Sequence, residues 1–215
     1  MLDGMPTAGK YLMSARPDEL SDEVLMMRYQ TGDQSALSIL VARHKRPMFN
    51  FFVRQLHDRT LAEDMVQDLF VKLVRKASTF KHEARFTTWA YTVARNLCID
   101  QMRKLSLRRH RSLDARATPD GPTLGDRVPD EHPEAEADRS AVSADIASRV
   151  TKAVEALPAE QREVFLLRQL AGVPFKEIAK ITGVSENTAK SRMRYALERL
   201  QTALSEYEDY ARALR

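Results

Sequence analysis

Apolar residues recur at helical spacing over most of the chain, and this pattern predicts helices rather than strands. In the first half the spacing indicates four helices, near 21–30, 34–56, 60–77 and 86–105. Gly32 falls between the first two helices, and Pro47 lies inside the second, where we expect a kink. Together these helices predict a first domain over 18–105.

The helical pattern stops between 106 and 143. Prolines and glycines interrupt it at Pro119, Gly121, Pro122, Gly125, Pro129 and Pro133. The segment begins with arginines and ends with acidic residues, a composition that predicts a solvated, flexible linker. A functional acidic segment is the alternative.

Helical spacing returns from 144 to 204 and predicts a second domain. A flexible leader over 1–17 and a C-terminal tail over 205–215 would then flank the two domains. With only 7 glycines and 30% charged residues, the composition suits helices with solvated faces. We therefore predict an all-α fold of two small helical domains joined by a flexible linker.

The overall charge and the cysteine content narrow the class of protein. A net charge of +4 and a pI near 9.2 are only mildly basic, so any nucleic-acid site has to be found in local clusters. The single cysteine, Cys98, permits no internal disulfide. We find neither a membrane-spanning apolar run nor a signal peptide, so we expect a cytoplasmic protein that is not inserted in a membrane.

The clearest local signature lies between 175 and 204. A short helix (PFKEIAKIT), a turn at Gly183 and a longer helix after Ser185 form a helix-turn-helix candidate, in which Ser185 suits an N-cap. On the second helix, the predicted core stripe is Ala189, Met193, Leu197, Leu200 and Leu204.

The other faces of this second helix carry hydrogen-bond donors and cations. Such groups can read base edges in a major groove and hold phosphates, so we predict a DNA-binding face. It comprises Asn187, Thr188, Lys190, Ser191, Arg192, Arg194, Tyr195 and Arg199.

A different surface is predicted on helix 60–77. Opposite its core stripe, four residues align at i, i+3, i+4 and i+7, namely Asp64, Gln67, Asp68 and Val71. Two acids would repel DNA, so this strip predicts docking to a protein.

The third candidate surface combines a loop and a helix. Helix 86–105 is expected to pack through Phe86, Trp89, Val93 and Leu97. The preceding loop, 80–85, offers aromatic and basic side chains that could hold an unpaired base, as single-strand binders do. The predicted contacts are Phe80, Lys81, His82, Arg85, Thr88, Tyr91, Thr92, Arg95 and Asn96.

Three stretches resemble the sigma-70 family, and within it the extracytoplasmic-function sigma factors. They are AEDMVQDLFVKL (62–73), FTTWAYTVARNLCIDQMRK (86–104) and LPAEQREVFLLRQLAGVPFKEIAKITGVSENTAKSRMRYALERL (157–200). They are similar to conserved regions 2 and 4 in that order. The resemblance implies an alternative sigma factor that binds core RNA polymerase and recognises the −10 and −35 promoter elements.

The resemblance also implies roles for the three surfaces. Asp64, Gln67 and Asp68 would contact the coiled coil of the polymerase's largest subunit, and region 4 would meet the flap. The loop 80–85, with Tyr91 and Asn96, would capture a flipped −10 base. Region 4 would place Lys190, Ser191, Arg194 and Tyr195 in the −35 major groove, and the linker would thread toward the active-site channel. An anti-sigma factor is an implied partner.

The sequence departs from the family's wider pattern at two places. Thr92 and Val93 stand where primary sigma factors carry paired tryptophans, so we expect melting to depend on a tight promoter match. Pro174 stands where relatives often have a serine N-cap, so the first helix of the turn motif is expected to begin differently.

Two other classes of protein were weighed. A conventional helix-turn-helix repressor or activator, with a helical dimerisation or sensing domain, is the main alternative and would bind palindromic DNA unaided. An enzyme fits worst, because the chain has no phosphate-binding glycine loop, metal cluster or nucleophile motif. We accordingly expect no catalytic residue, metal, cofactor or small-molecule substrate.

Overall fold

The computed structural model describes residues 20–81, 83–114 and 137–213, with side chains at 20–81, 83–107 and 146–205. These residues form α-helices and one 3-10 turn without strands, which confirms the all-α prediction for the described part of the chain. The helices are α1 (Asp22–Gln30), α2 (Gln34–Leu56), α3 (Arg59–Arg75), α4 (Phe86–Asp114), α5 (Ala137–Glu155), α6 (Ala159–Gln169), α7 (Phe175–Thr182) and α8 (Glu186–Ala213), and the 3-10 turn is Ala77–Thr79.

Two compact units account for the packing of the described residues. The first contains 20–53 and 58–97, and the second contains 54–57 and the described residues from 98 onward. The leader 1–17, the part of the predicted linker from 115 to 136, and His82 lie outside the described residues.

Helix ends in the first unit follow local capping chemistry. The Ser21 hydroxyl accepts the Val24 N–H at 3.4 Å at the start of α1, and the Asp58 carboxylate accepts the Leu61 N–H at 2.9 Å at the start of α3. Helix α2 continues through Pro47 as one element.

An aromatic cluster forms the centre of the first unit. Phe51, Phe86 and Tyr91 are almost fully buried, and the rings of Phe51 and Tyr91 meet edge to face with centroids 5.2 Å apart. Phe86 lies against Trp89 with centroids 5.9 Å apart. These contacts join α2 to α4 and fix which face of α4 remains accessible.

Charged groups anchor α1 on α2. The Asp22 carboxylate accepts hydrogen bonds from Arg43 at 2.8 Å and pairs with the His44 ring nitrogen at 2.7 Å. Arg43 also donates to the carbonyl of Leu20 at 2.8 Å. Burial by itself would raise the pKa of Asp22, but the hydrogen bonds and charges of His44 and Arg43 outweigh it and hold that pKa below the ordinary value.

In the second unit, α6, α7 and α8 surround an apolar core, and α5 packs on α8. The core includes Val164, Leu167 and Ile178, which are almost completely buried. Arg162 is also buried, and its guanidinium donates to the carbonyl of Glu155 at 2.7 Å, which fastens α6 to the end of α5.

Two helix ends differ from the prediction. We expected the helix that begins at Phe86 to end near 105, whereas α4 continues to Asp114. The stretch 106–114 contains neither proline nor glycine, so nothing in it stops a helix; the first breaker is Pro119. Likewise α5 begins at Ala137, inside the predicted linker, which extended to 143.

In the described part of the chain, no helix has both the length and the apolar character needed to cross a membrane.

Removal of the Asp22 charge should destabilise the first unit. Asp22→Asn removes the negative charge that Arg43 and His44 contact, and we expect it to lower the free energy of unfolding by about 1–3 kcal/mol near neutral pH. The measurement is urea unfolding followed by the fluorescence of Trp89, the only tryptophan in the chain, which lies in this unit.

The pH dependence gives this prediction a definite sign. Folding lowers the pKa of Asp22. The contribution of Asp22 to stability is therefore present above its unfolded-state pKa of about 3.9 and disappears as the pH falls through its folded-state pKa. The difference between wild type and Asp22→Asn should therefore shrink in acid. Glu63→Gln, which removes an exposed pair with Arg59, is the control. Equal losses in both variants would contradict the anchoring role.

Candidate nucleic-acid and docking interfaces

Helices α7 and α8 form the predicted helix-turn-helix. Gly183 adopts φ +72°, and the N–H groups of Gly183 and Val184 both donate to the carbonyl of Ala179, at 2.9 and 3.1 Å. A left-handed glycine that ends a helix in this way is common because it has no Cβ to clash. The Ser185 hydroxyl then accepts the Thr188 N–H at 3.0 Å, which confirms Ser185 as the N-cap of α8.

The start of α7 uses backbone groups alone. Pro174 occupies the N-cap position without a side-chain hydrogen bond, and its carbonyl accepts the N–H groups of Glu177 and Ile178, each at 2.9 Å. Pro174 therefore replaces a capping side chain with a fixed backbone angle. This is the different start that the proline predicts.

The core stripe of α8 is shifted from its predicted position. Leu197 is 46% exposed and Leu204 is half-buried, whereas Ala196 is completely buried beside Ala189 and Met193. The prediction centred the stripe on the large side chains. Ala189 and Ala196 are both completely buried, so the buried arc passes through these small residues and leaves Leu197 at its edge.

The predicted DNA-binding face of α8 is accessible except at one position. Exposed side chains on it are Asn187, Thr188, Lys190, Ser191, Arg194, Tyr195 and Arg199. Arg192 is different, because its guanidinium bonds to Glu160 of α6 and its side chain is only 20% exposed.

Cations on this face also interact within the helix. Lys190 pairs with Glu186 at 2.7 Å, and Arg194 pairs with Glu198 at 3.6 Å while its guanidinium lies over the Tyr195 ring, 4.9 Å from the centroid. Pairs as exposed as these contribute little to stability, so a phosphate or a base could displace the carboxylates at small cost.

The strip on α3 has the predicted orientation. Asp64, Gln67, Asp68 and Val71 are exposed, and Val71 shows 47% of its surface. The opposite face, including Met65, Leu69 and Leu73, is buried. Val74, 37% exposed and one turn beyond Val71, extends the apolar end of the strip. Val74 was not among the predicted residues, although its i+3 spacing from Val71 was a usable signal.

Two residues of the third surface are not where we expected them. The prediction that Tyr91 points outward is wrong: it is 1% exposed against Phe51, and burial raises its pKa to about 12. Phe80, predicted as a stacking group in the loop, is 5% exposed and packs against Trp89, with ring centroids 5.2 Å apart. Helix α4 is covered by aromatic rings on two sides, so its buried arc is wider than the single stripe that we assumed.

Other members of the third surface remain accessible. Lys81, Arg85 and Asn96 are exposed, while Thr88, Thr92 and Arg95 are partly exposed on the same face of α4. The Thr92 hydroxyl donates to the carbonyl of Thr88 at 2.7 Å. Trp89, expected in the core, is partly exposed at the border of this face.

Two residues that hold the loop 80–85 were not predicted from the sequence. The Gln30 side-chain amide donates to the carbonyls of Ala77 and Phe80, and the Glu23 carboxylate accepts the Phe86 N–H. Both contacts span about fifty residues or more of the chain, so no periodic signal could have revealed them.

Comparison with known proteins agrees with this arrangement. Residues 40–108 match the family model of Sigma-70 region 2, and residues 147–200 match that of Sigma-70, region 4. The ECF RNA polymerase sigma factor SigM of Mycobacterium tuberculosis is 31% identical over 188 residues, covering 86% of each chain. RNA polymerase sigma factor CarQ of Myxococcus xanthus is 30% identical over 184 residues, covering 85% of this chain and 97% of its own.

A solved structure gives the same result. The sigma factor RpoE of Bartonella quintana, in its complex with the anti-sigma factor NepR, superposes with a TM-score of 0.61 and 25% identity, covering 78% of this chain and 96% of its own. The chain therefore belongs to the sigma-70 family, as an extracytoplasmic-function RNA polymerase sigma factor. It is an alternative sigma factor for promoter-specific transcription initiation, and the alternative of a conventional repressor or activator is not favoured.

The Ser185 cap should contribute measurably to the helix-turn-helix. Ser185→Ala leaves the Thr188 N–H without its acceptor and should cost about 0.5–2 kcal/mol of stability in the second unit. Ser185→Asp, which can still cap the helix, should retain most of that stability. Amide hydrogen exchange across 183–192 is the measurement, and Ser191→Ala, on the exposed part of the same helix, is the control. Equal protection in the two alanine variants would contradict the capping role.

Proposed function

We propose that α8 enters the major groove of the −35 element. The observation that carries this proposal is the exposed row of donors and cations that follows a left-handed turn and a capped helix start. Arg194 and Lys190 have the reach for base edges, with Asn187, Ser191 and Tyr195 beside them. Thr188 and Arg199 lie toward the flanks, where phosphates are the nearest partners. We assign Arg192 to packing, because Glu160 already holds it.

For the −10 element we propose contacts from the loop 80–85 and the accessible face of α4. Lys81 and Arg85 would hold an unpaired base and the backbone beside it, with His82 between them in sequence. Thr88, Thr92, Arg95 and Asn96 would line the path of the bases. Phe80 and Tyr91 support this surface from beneath, since neither ring is accessible.

The strip on α3 is proposed as the dock for core polymerase. Asp64 and Asp68 supply charge, Gln67 supplies an amide, and Val71 with Val74 supplies apolar surface. Such a combination suits a basic and partly apolar protein surface, as on a coiled coil of the largest polymerase subunit. A second contact, between region 4 and the polymerase flap, belongs to the same proposal.

An anti-sigma factor is proposed as the regulatory partner. RpoE of Bartonella quintana, similar to this chain over most of its length, is held by the anti-sigma factor NepR. We further propose that the protein acts in the cytoplasm, where polymerase and promoters are found, and that its role is one of binding without catalysis.

Charge reversal on the strip should abolish binding to core polymerase. Asp64→Lys and Asp68→Lys each place a cation where the proposal requires an acid, and both side chains are exposed, so the helical fold should persist. Glu63→Lys is the matched control, since Glu63 is exposed on the same helix about 100° away. The measurement is co-purification of each variant with core polymerase. Retained binding in the Asp64 and Asp68 variants would sink the assignment.

Base readout and phosphate contact should separate on α8. Arg194→Ala is expected to cost about 1–3 kcal/mol and to relax the preference at one −35 position. Arg199→Ala should weaken all promoters about equally and reduce the salt slope by about one unit. Holoenzyme binding to single-base −35 variants at several salt concentrations distinguishes the two. If both variants lose affinity uniformly, Arg194 contacts phosphate; if neither loses any, α8 is not in the groove.

A further inference from the structure

Helix α1 contacts both ends of the loop 80–85. At its C-terminal end, the Gln30 amide nitrogen donates to the carbonyl of Ala77 at 2.7 Å and to that of Phe80 at 3.0 Å. At its N-terminal end, a Glu23 carboxylate oxygen accepts the Phe86 N–H at 2.9 Å. One short helix therefore holds the residues at which the loop begins and ends.

The loop has little internal structure of its own to fix its shape. Within its described residues, the backbone contact is a single turn in which the Ala84 N–H donates to the carbonyl of Lys81 at 3.0 Å. Its described side chains at Lys81, Glu83, Ala84 and Arg85 are all exposed. A loop of this kind keeps a defined conformation only when its two ends are fixed by the scaffold.

The two contacts from α1 are suited to fixing the ends of the loop 80–85. Gln30 bridges two carbonyls, which fixes the exit from the 3-10 turn. Glu23 meets a free N–H in the first turn of α4, where a negative charge is favoured by the helix dipole. Burial alone would raise the pKa of Glu23, but hydrogen bonds from the Phe86 N–H, from its own N–H and from Ser21 together outweigh burial. The pKa is lowered, so the carboxylate is ionised near neutral pH.

We propose that Gln30 and Glu23 are positioning residues for −10 recognition: they touch no DNA, but they set the conformation of the loop that does. The inference rests on the proposed role of this loop in −10 binding. It extends the determinants of −10 specificity to a helix outside the stretch matched by the region 2 family model, which begins at residue 40.

The test measures base selectivity rather than total activity. Holoenzyme assembled from core polymerase and the full chain transcribes a template pool with a randomised −10 element, downstream of the −35 element that the wild type selects from genomic fragments. Sequencing the transcripts gives the ratio between the preferred base and its competitors at each position.

Gln30→Ala and Glu23→Ala should flatten the preference for at least one −10 base by about tenfold, since misplacement of contact groups by about 1 Å can cost on the order of a hundredfold. Glu23→Gln, whose amide oxygen can still accept the Phe86 N–H, should restore most of the selectivity. Gln34→Ala and Glu63→Ala are the matched controls, because both residues are exposed and contact neither end of the loop.

Further measurements separate positioning from general damage. Trp89 fluorescence and circular dichroism should show a folded first unit, binding to core polymerase should be unchanged, and the −35 preference should be unchanged. Hydrogen exchange should become faster at Phe86 in Glu23→Ala.

Two loop variants distinguish failure of this inference from failure of the proposed function. Lys81→Ala and Arg85→Ala should flatten the same −10 preference. If they do and the α1 variants also do, the inference is supported. If the loop variants flatten it while Gln30→Ala and Glu23→Ala match the controls, α1 does not position the loop. If none of the four changes −10 selectivity, the loop does not read the element, and the inference is overturned with it.

Discussion

Burial of a wide face of α4 is the constraint on which the first unit depends. Phe51 and Tyr91 meet edge to face on one side of this helix, and Phe80 and Trp89 pack near its N-terminus. Because those rings are fixed, the part of α4 from 86 to 98 leaves one strip accessible to solvent, and Thr88, Thr92 and Asn96 fall on it. The apolar core therefore decides which polar groups can meet a nucleic acid, although no core residue need touch one.

The two nucleic-acid surfaces that we propose use different physical means. On α8, a rigid helix presents cations and hydroxyls at regular spacing, which suits the regular edges of a duplex groove. Near α4, a loop with two exposed cations lies beside a partly exposed helix face, which suits an unpaired strand whose bases point in several directions. The strip on α3 differs from both, since its acids would repel any nucleic acid and so direct it toward protein.

Periodicity predicted most of the helices, because the spacing of apolar residues within an amphipathic helix shows which side is buried. Ser185, Gly183 and the strip from Asp64 to Val71 were predictable for the same reason: each depends on residues within two turns of one another. Tyr91 and Leu197 were misplaced because the width and centre of a buried arc depend on how many neighbours surround the helix, which one helix alone does not encode. Gln30 and Glu23 were missed because their partners lie far along the chain.

The intrahelical pairs on α8 have a kinetic consequence. Glu186 and Glu198 partly neutralise Lys190 and Arg194 as long as no DNA is present. Non-specific attachment to DNA grows with the number of phosphates that a protein neutralises, so a helix that carries its own counter-charges dwells for less time on the wrong sequence. A promoter with the right bases can displace those carboxylates, whereas random DNA gains little by doing so. On a helix that meets DNA as we propose for α8, such acids would shorten the search through a genome.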